Sequence, residues 1–580
     1  MNTQLRTSIR VALLVALLAA TTVACSKPSP PAAAQPPCAG DAGVGGPVPT
    51  GARPGDVVES LELSATDGDG APVEGYPAGA EVHRILYVST SADETDLTLV
   101  CGTVTLPTAG PTRDELGRTR VFAWAHGTQG LEQQCLPSSN PDSGIWGPMP
   151  GGIQTVAWGS LFGRHEGEPS NGQLQYAVDQ GWIVATADYQ PPDTYVIGRV
   201  AGANVLDSIR AAQQLAEREF PAGSTTGSDV VIAGHSQGGH AALWAAQLAD
   251  PYLGATGAPP DQIRIVGVEA LAPAANFVVQ PDRQPGTAFG DGLADREMHQ
   301  SIPLLGIPVP ALELQIGPAL FSYIFGSWSQ YSATNTPAPG AATPAGPATG
   351  PLPLDAVATP EGQGTVAAIM PLCLLDSDAT KVKRLTAPYR DAATNQMLVP
   401  ELWNLPPDYS PGQYFRGGVD RTCATSAASL RGWCEWILWN MPGPMGDNPF
   451  PKLPTSGGRA VPLLIAQGTN DTVIHCVAPD GSPADQVPSV ADCTTRALYE
   501  SLSAEYCPPG GAQSTLQLRL FRKGPNSPAD HLSIPGQMAA RKLDRSSSDL
   551  SYEGSPSQQF VESAFAGTLE AGCSASILNP

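Results

Sequence analysis

A serine hydroxyl becomes a useful nucleophile only when a base takes its proton and a carboxylate fixes that base. One serine in this chain has a setting suited to that chemistry. Gly234-His235-Ser236-Gln237-Gly238 follows Val230-Val231-Ile232-Ala233, a β-branched run with the composition of a buried strand. After it, Gly239 to Leu248 is rich in helix formers and free of proline. A sharp strand-to-helix turn strains the backbone and accepts only small neighbours, and glycines stand two residues before and two after Ser236. The pentad alone says little; the strand, turn and helix around it mark a nucleophile elbow.

In that arrangement the partners follow in the order serine, acid, histidine. Asp471 lies in Gln467-Gly468-Thr469-Asn470-Asp471-Thr472-Val473, directly after the apolar run Val461 to Ala466, so it falls in a loop at a strand's carboxyl end. Its structural alternative is a surface turn residue. His531 ends Gly524-Pro525-Asn526-Ser527-Pro528-Ala529-Asp530-His531, between the strand-like Leu516 to Phe521 and the helix-like Gly536 to Lys542. That is where the base should arrive. His235 and His240 flank the serine and read as packing or local hydrogen bonding. His475 is too near Asp471 along the chain, and His83, His165 and His299 lack supporting context. The tetrahedral intermediate also needs two N–H donors. Gln237, next after the serine, supplies one. The second should come from Ala125-His126-Gly127-Thr128-Gln129-Gly130, which ends another strand; the Thr128 N–H is favoured and Gly127 is the alternate. A simple tight turn is the structural reading of that loop.

Elsewhere, His83 to Val88, Thr98 to Val104, Arg120 to Ala125, Trp182 to Thr186 and Ile263 to Val268 read as strands. Ala203 to Glu219 carries Val205, Leu206, Ile209, Ala212 and Leu215 at helical spacing. Strands alternating with helices predict a mainly parallel sheet covered on both faces. The span 276–454 breaks this rhythm. It is Pro-rich, its segment Ile302 to Tyr331 is strongly apolar, and Trp433, Trp436 and Trp439 share one face of a helix. Its bland reading is an inserted subdomain that packs on itself. The sharper one is a cap offering apolar surface to a greasy substrate. The expected organisation is a signal peptide over 1–25, a Pro/Ala/Gly-rich tether and lead-in over 26–75, core over 76–275, cap or lid over 276–454, and core again over 455–580.

The net charge of −23 over 580 residues argues against nucleic acid and against docking on anionic lipid. Arg6 and Arg10 precede the apolar Val11 to Ala20, which is too short to span a bilayer, as in an export signal. Thr21-Thr22-Val23-Ala24-Cys25 fits a bacterial lipobox with Cys25 lipidated, which would hold the protein at a membrane's outer surface. Thr22 stands where Leu is commonest, so ordinary signal cleavage and secretion is the alternative. Setting Cys25 aside leaves ten cysteines, none in C-x-x-C spacing, and up to five disulfides. Cys423–Cys434 and Cys476–Cys493 are plausible local loops. Asp67-Gly68-Asp69-Gly70 lacks the further ligands of a calcium loop, and no phosphate-binding or dinucleotide fingerprint occurs. No cofactor or metal is expected.

Together, the elbow, Ala125-His126-Gly127-Thr128, Ala187-Asp188-Tyr189 and Val205 to Ala212 resemble the α/β-hydrolase superfamily. Within it, the chain is similar to the secreted lipase family of the Candida lipase A type, over about 85–280 and 455–545. The resemblance implies an α/β-hydrolase fold with a large inserted lid, a Ser236–Asp471–His531 triad and hydrolysis of carboxylic esters. One departure is Gln190-Pro191-Pro192, where that family places a glycine soon after the Asp-Tyr pair. Two rivals remain: a serine peptidase or aminoacyl hydrolase on the same fold, for which Glu297, Glu313 or Asp355 would hold an amine, and a non-catalytic surface-display homologue.

Overall fold

Ten strands form one sheet in the order 57–62, 80–90, 97–107, 183–187, 119–125, 228–235, 263–271, 463–468, 515–521 and 572–578. This computed structural model describes residues 46–66, 70, 76–90, 96–139, 172–190, 194–221, 227–259, 262–277, 299–304, 307–315, 317–334, 350–358, 360–374, 431–471, 473–477, 488, 492–523, 529–539 and 552–578. The chain divides into two units, Met1–Pro37 and Cys38–Pro580, and all described residues belong to the second. Cys25, Asp67–Asp69, His165, Glu297 and Cys423 therefore lie outside the described residues.

The strands β1 (Val57–Glu62), β2 (Ala80–Thr90) and β3 (Leu97–Pro107) pair antiparallel, and β3 meets β5 antiparallel. From there every pairing is parallel, through β4 (Thr119–Ala125), β5 (Ile183–Ala187), β6 (Ser228–His235), β7 (Ile263–Leu271), β12 (Leu463–Gly468), β15 (Thr515–Phe521) and β16 (Gly572–Leu578). These strands read as continuous apolar runs because both faces are covered. On β6, Val230 and Ile232 join one core cluster with helices α2 (Gly198–Glu219), α3 (Gln237–Ala255) and α7 (Thr494–Tyr506). Val231 and Ala233 join the opposite one with α1 (Gln173–Asp179), α8 (Ile534–Ala539) and α9 (Pro556–Ala566). The period of two along the strand thus becomes two layers of helices. This is the α/β-hydrolase architecture expected from the sequence. Within the lead-in, residues 57–62 form β1 and extend the sheet edge.

Between β7 and β12 the chain leaves the sheet for a hairpin, β8 (His299–Leu304) and β9 (Ile307–Gln315), and helices α4 (Gly317–Thr334), α5 (Pro360–Ile369) and α6 (Arg431–Asn440). The short ladders β10 (Thr455–Ser456) with β11 (Arg459–Ala460), and β13 (Asn470–Asp471) with β14 (Cys476–Val477), flank β12. Trp433 and Trp436 of α6 are buried against Trp328 of α4, with ring centroids 6.5 and 6.1 Å away, while Trp439 is only half-buried. Trp328 Nε1 donates to Tyr195 O at 2.9 Å, and Trp244 Nε1 of α3 donates to Asn440 O at 3.0 Å. The excursion's aromatics therefore pack on each other and on the sheet's helices in one continuous cluster.

The expected Cys476–Cys493 bond is present. Cys135–Cys373 and Cys507–Cys573 join distant segments, and Cys101 and Cys434 are also disulfide-bonded. Among the described residues no helix is long and apolar enough to cross a membrane.

Candidate active site

Ser236 stands between the last residue of β6 and the first of α3, with φ 58° and ψ −116°. A non-glycine residue held there costs on the order of 1–3 kcal/mol, which the surrounding packing must offset. The neighbouring backbone shows why glycines flank it. A Cβ at Gly238 would lie 1.9 Å from Ala125 O, and one at Gly234 would lie 2.3 Å from Gly238 O. The first turn of α3 is thus pressed onto the end of β4. In register, Ala125 pairs with Gly234 and Leu271 with His235, so the elbow and the 126–129 loop leave the same rim.

At that rim Asp471 Oδ2 meets His531 Nδ1 at 2.8 Å. Both side chains are buried. Asp471 is fully committed: Gln467 Nε2 donates to Oδ2 at 2.6 Å, and the N–H groups of Val473 and Ile474 donate to Oδ1 at 2.8 and 2.9 Å. The carboxylate therefore accepts from four donors, which fixes its orientation and that of the imidazole. His531 begins a 3-10 turn, Asp530 caps it by accepting from Ser533 N at 3.0 Å, and Ala529 adopts φ 47° just before. Asn470 N donates to Ala529 O at 2.9 Å, tying this loop to the one bearing Asp471. The third expected partner is not hydrogen-bonded to this pair: among the described residues Ser236 Oγ makes no hydrogen bond, to His531 or any other group. Catalytic hydrogen bonds are often long before substrate arrives.

The candidate oxyanion donors gather beside the serine. A Cβ built on Gly127 would sit 3.9 Å from Ser236 Cβ. Among the described residues the N–H groups of Gly127, Thr128 and Gln237 have no acceptor, although Thr128 and Gln237 are buried. Such groups are seldom left unpaired in an interior. His126 Nδ1–H donates to Gly127 O at 2.7 Å. In a trans peptide this turns the Thr128 N–H the opposite way. Tyr189, itself at φ 62°, donates its hydroxyl to His126 O at 3.0 Å and lays its ring 4.4 Å from the imidazole. The Thr128 hydroxyl shares a 2.7 Å hydrogen bond with that of Tyr195. Beyond the loop, Leu374 N donates to Gln129 O at 2.7 Å, and Cys135–Cys373 binds the same two segments covalently.

Burial keeps the neighbouring histidines neutral. It pushes His126 down, pushes His235 well below the ordinary value with help from the nearby His531 charge, and takes His240 to about 3. His235 and His240 each donate to a backbone carbonyl, His531 O at 2.9 Å and Ala274 O at 2.7 Å. Asp188 accepts from Ser138 N at 3.1 Å, Ser138 Oγ and Gln133 Nε2, and burial raises its carboxyl. Gln467, Tyr189 and the peptide-holding role of His126 were not legible in advance, because nothing in local sequence distinguishes them from core residues. Asp355 is exposed. Among the described residues no group of three His, Cys, Asp or Glu side chains could hold a metal.

Residues 172–294, which span α1 to the end of β7 and carry Ser236, match the secretory lipase family. This stretch has the secretory lipase signature. The chain is 36% identical over 110 residues to lipase 2 of Candida albicans and 32% identical over 113 residues to lipase 1 of the same organism. Each of these two lipase alignments covers 19% of the chain and 22% of the relative, so the chain matches about a fifth of the relatives' length. Among solved structures, lipase A of Candida antarctica in its closed state aligns with TM-score 0.48 at 16% identity, covering 90% of this chain and 84% of the other. A rice cell wall degrading esterase from Xanthomonas oryzae aligns with TM-score 0.46 at 12% identity, covering 88% and 98%.

Proposed function

We propose that the chain is an exported serine hydrolase of carboxylic esters. Ser236 attacks the ester carbonyl as His531 Nε2 takes its proton, and Asp471 holds the Nδ1–H tautomer and stabilises the imidazolium. The N–H groups of Gln237 and of Thr128, with Gly127 as the alternate, receive the developing oxyanion. His531 then protonates the leaving alcohol, the acyl group stays on Ser236, and water repeats the sequence to release the acid. The observation that carries this reading is the 2.8 Å His531–Asp471 bond at the rim where Ser236 sits in a strained elbow. The secretory lipase match over 172–294 supports an ester substrate and export.

The excursion between β7 and β12 serves in this reading as a cap, and an ester with an apolar acyl or aromatic group is the proposed substrate. Cys25 is the proposed site of lipidation. Ser236→Ala should fold normally, lose hydrolysis of p-nitrophenyl butyrate to background and lose labelling by a fluorophosphonate. Retained turnover in that variant would refute the assignment.

A further inference from the structure

His235 is fully enclosed, lies outside the proposed triad, and touches all three parts of the site. It is the residue before Ser236, on the same strand end. Its Nε2–H donates to the backbone carbonyl of His531 at 2.9 Å, across 296 positions of sequence. The two imidazoles face each other with centroids 4.7 Å apart and planes inclined by 41°. On its other side, Nδ1 approaches the oxyanion loop so closely that a Cβ on Gly127 would stand 3.4 Å away.

A general base works only when its ring is aimed at the proton it removes. Asp471 fixes the His531 ring through Nδ1, and the Asn470–Ala529 and Ser533–Asp530 bonds hold the chain on either side, but none of these grips the main chain at His531 itself. We propose that His235 is the positioning residue for His531: by holding its carbonyl, it locks the base loop to the strand that delivers the nucleophile. Two anchors, one on the ring and one on the main chain, then set the direction of Nε2 relative to the elbow. Serving this role requires a neutral donor, since a second charge beside His531 would oppose the imidazolium that forms during acyl transfer. Burial and the adjacent His531 keep His235 in that neutral form.

This inference rests on the triad reading above. Its test compares His235→Phe, which keeps a buried ring but removes the donor, with His235→Gln, which restores an N–H at similar reach. Turnover of p-nitrophenyl butyrate is expressed per fluorophosphonate-titrated serine. The expected result is a kcat about tenfold lower for His235→Phe with KM within twofold, and recovery to within threefold of the parent for His235→Gln. A tenfold loss corresponds to about 1.4 kcal/mol, the size of one hydrogen bond. Normal kcat in the Phe variant, with only a lower melting temperature, overturns the inference, as does an equal loss in both variants. Should the Phe variant not fold, 15N-histidine spectra of the parent protein decide: a protonated Nε2 and bare Nδ1 on His235 down to pH 5 support it, and the opposite tautomer overturns it. An active Ser236→Ala would instead remove the triad itself, so the two failures are distinguishable.

Discussion

Asp471→Asn isolates the carboxylate's part in the proposed mechanism, because every group facing it is a donor. Two N–H groups point at Oδ1, and Gln467 Nε2 and His531 Nδ1 point at Oδ2. Whichever way the asparagine amide turns, its NH2 confronts two donors and two hydrogen bonds are lost. If NH2 takes the Oδ2 place, His531 can answer only by moving its proton to Nε2, the atom that must accept the serine proton. The wrong tautomer costs about 10⁴-fold in kcat in a serine triad. If NH2 takes the Oδ1 place instead, the backbone of Val473 and Ile474 loses its acceptor inside the core. Each buried group left unpaired costs about 1–3 kcal/mol, so stability should fall by about 2–6 kcal/mol. The assay is steady-state hydrolysis of p-nitrophenyl butyrate from pH 6 to 9, with urea unfolding in parallel. A variant that keeps a tenth or more of the parent kcat with an unchanged urea midpoint would show that Asp471 does not orient the base.

Glu269 offers a test far from catalysis. It is buried on β7, accepts from Ser557 Oγ at 2.7 Å, and burial pushes its carboxyl from 4.5 up to about 7, with Arg519 opposing the shift. The native state therefore holds a proton that the unfolded chain has lost between these values. Its stability should fall as pH rises through that window, by about 1.4 kcal/mol per unit and about 3 kcal/mol in all. Glu269→Gln should remove that slope and unfold at higher urea than the parent at pH 8; identical pH profiles would contradict the assignment. Gly238→Ala places a methyl against Ala125 O, so it should cost about 3 kcal/mol in urea unfolding and lower turnover by displacing the 126–129 loop; an unchanged unfolding midpoint would show that the elbow is not tightly seated.

The parts of the fold set by local composition were readable in advance. Val230 to Ala233 followed by Gly-x-Ser-x-Gly announced β6, the elbow and α3, and the order of the remaining strands placed Asp471 and His531 at the rim. What escaped depends on contacts distant in sequence. β16 reads Gly-Cys-Ser-Ala-Ser-Ile-Leu, a run of small and polar residues that forms a strand because β15 offers it a parallel partner along seven residues. β1, with Glu59 and Glu62 among its six residues, forms only as an edge strand on β2. Gln467 is an ordinary strand residue until the fold presents it to Asp471. Tyr189 takes its left-handed backbone only where β5 ends under His126.

The Cys135–Cys373 bond bears on when the molecule becomes competent. It spans 238 positions and joins the stretch after α5 to the loop that carries the candidate oxyanion donors. With both thiols reduced, the covalent link between the two segments is gone, while the Leu374–Gln129 hydrogen bond still bridges them. A nascent chain in a reducing cytoplasm would thus hold its acceptor for negative charge loosely, and oxidation after export would set it. On the proposed reading, full ester-cleaving capacity would then be acquired after the chain has left its own lipids behind.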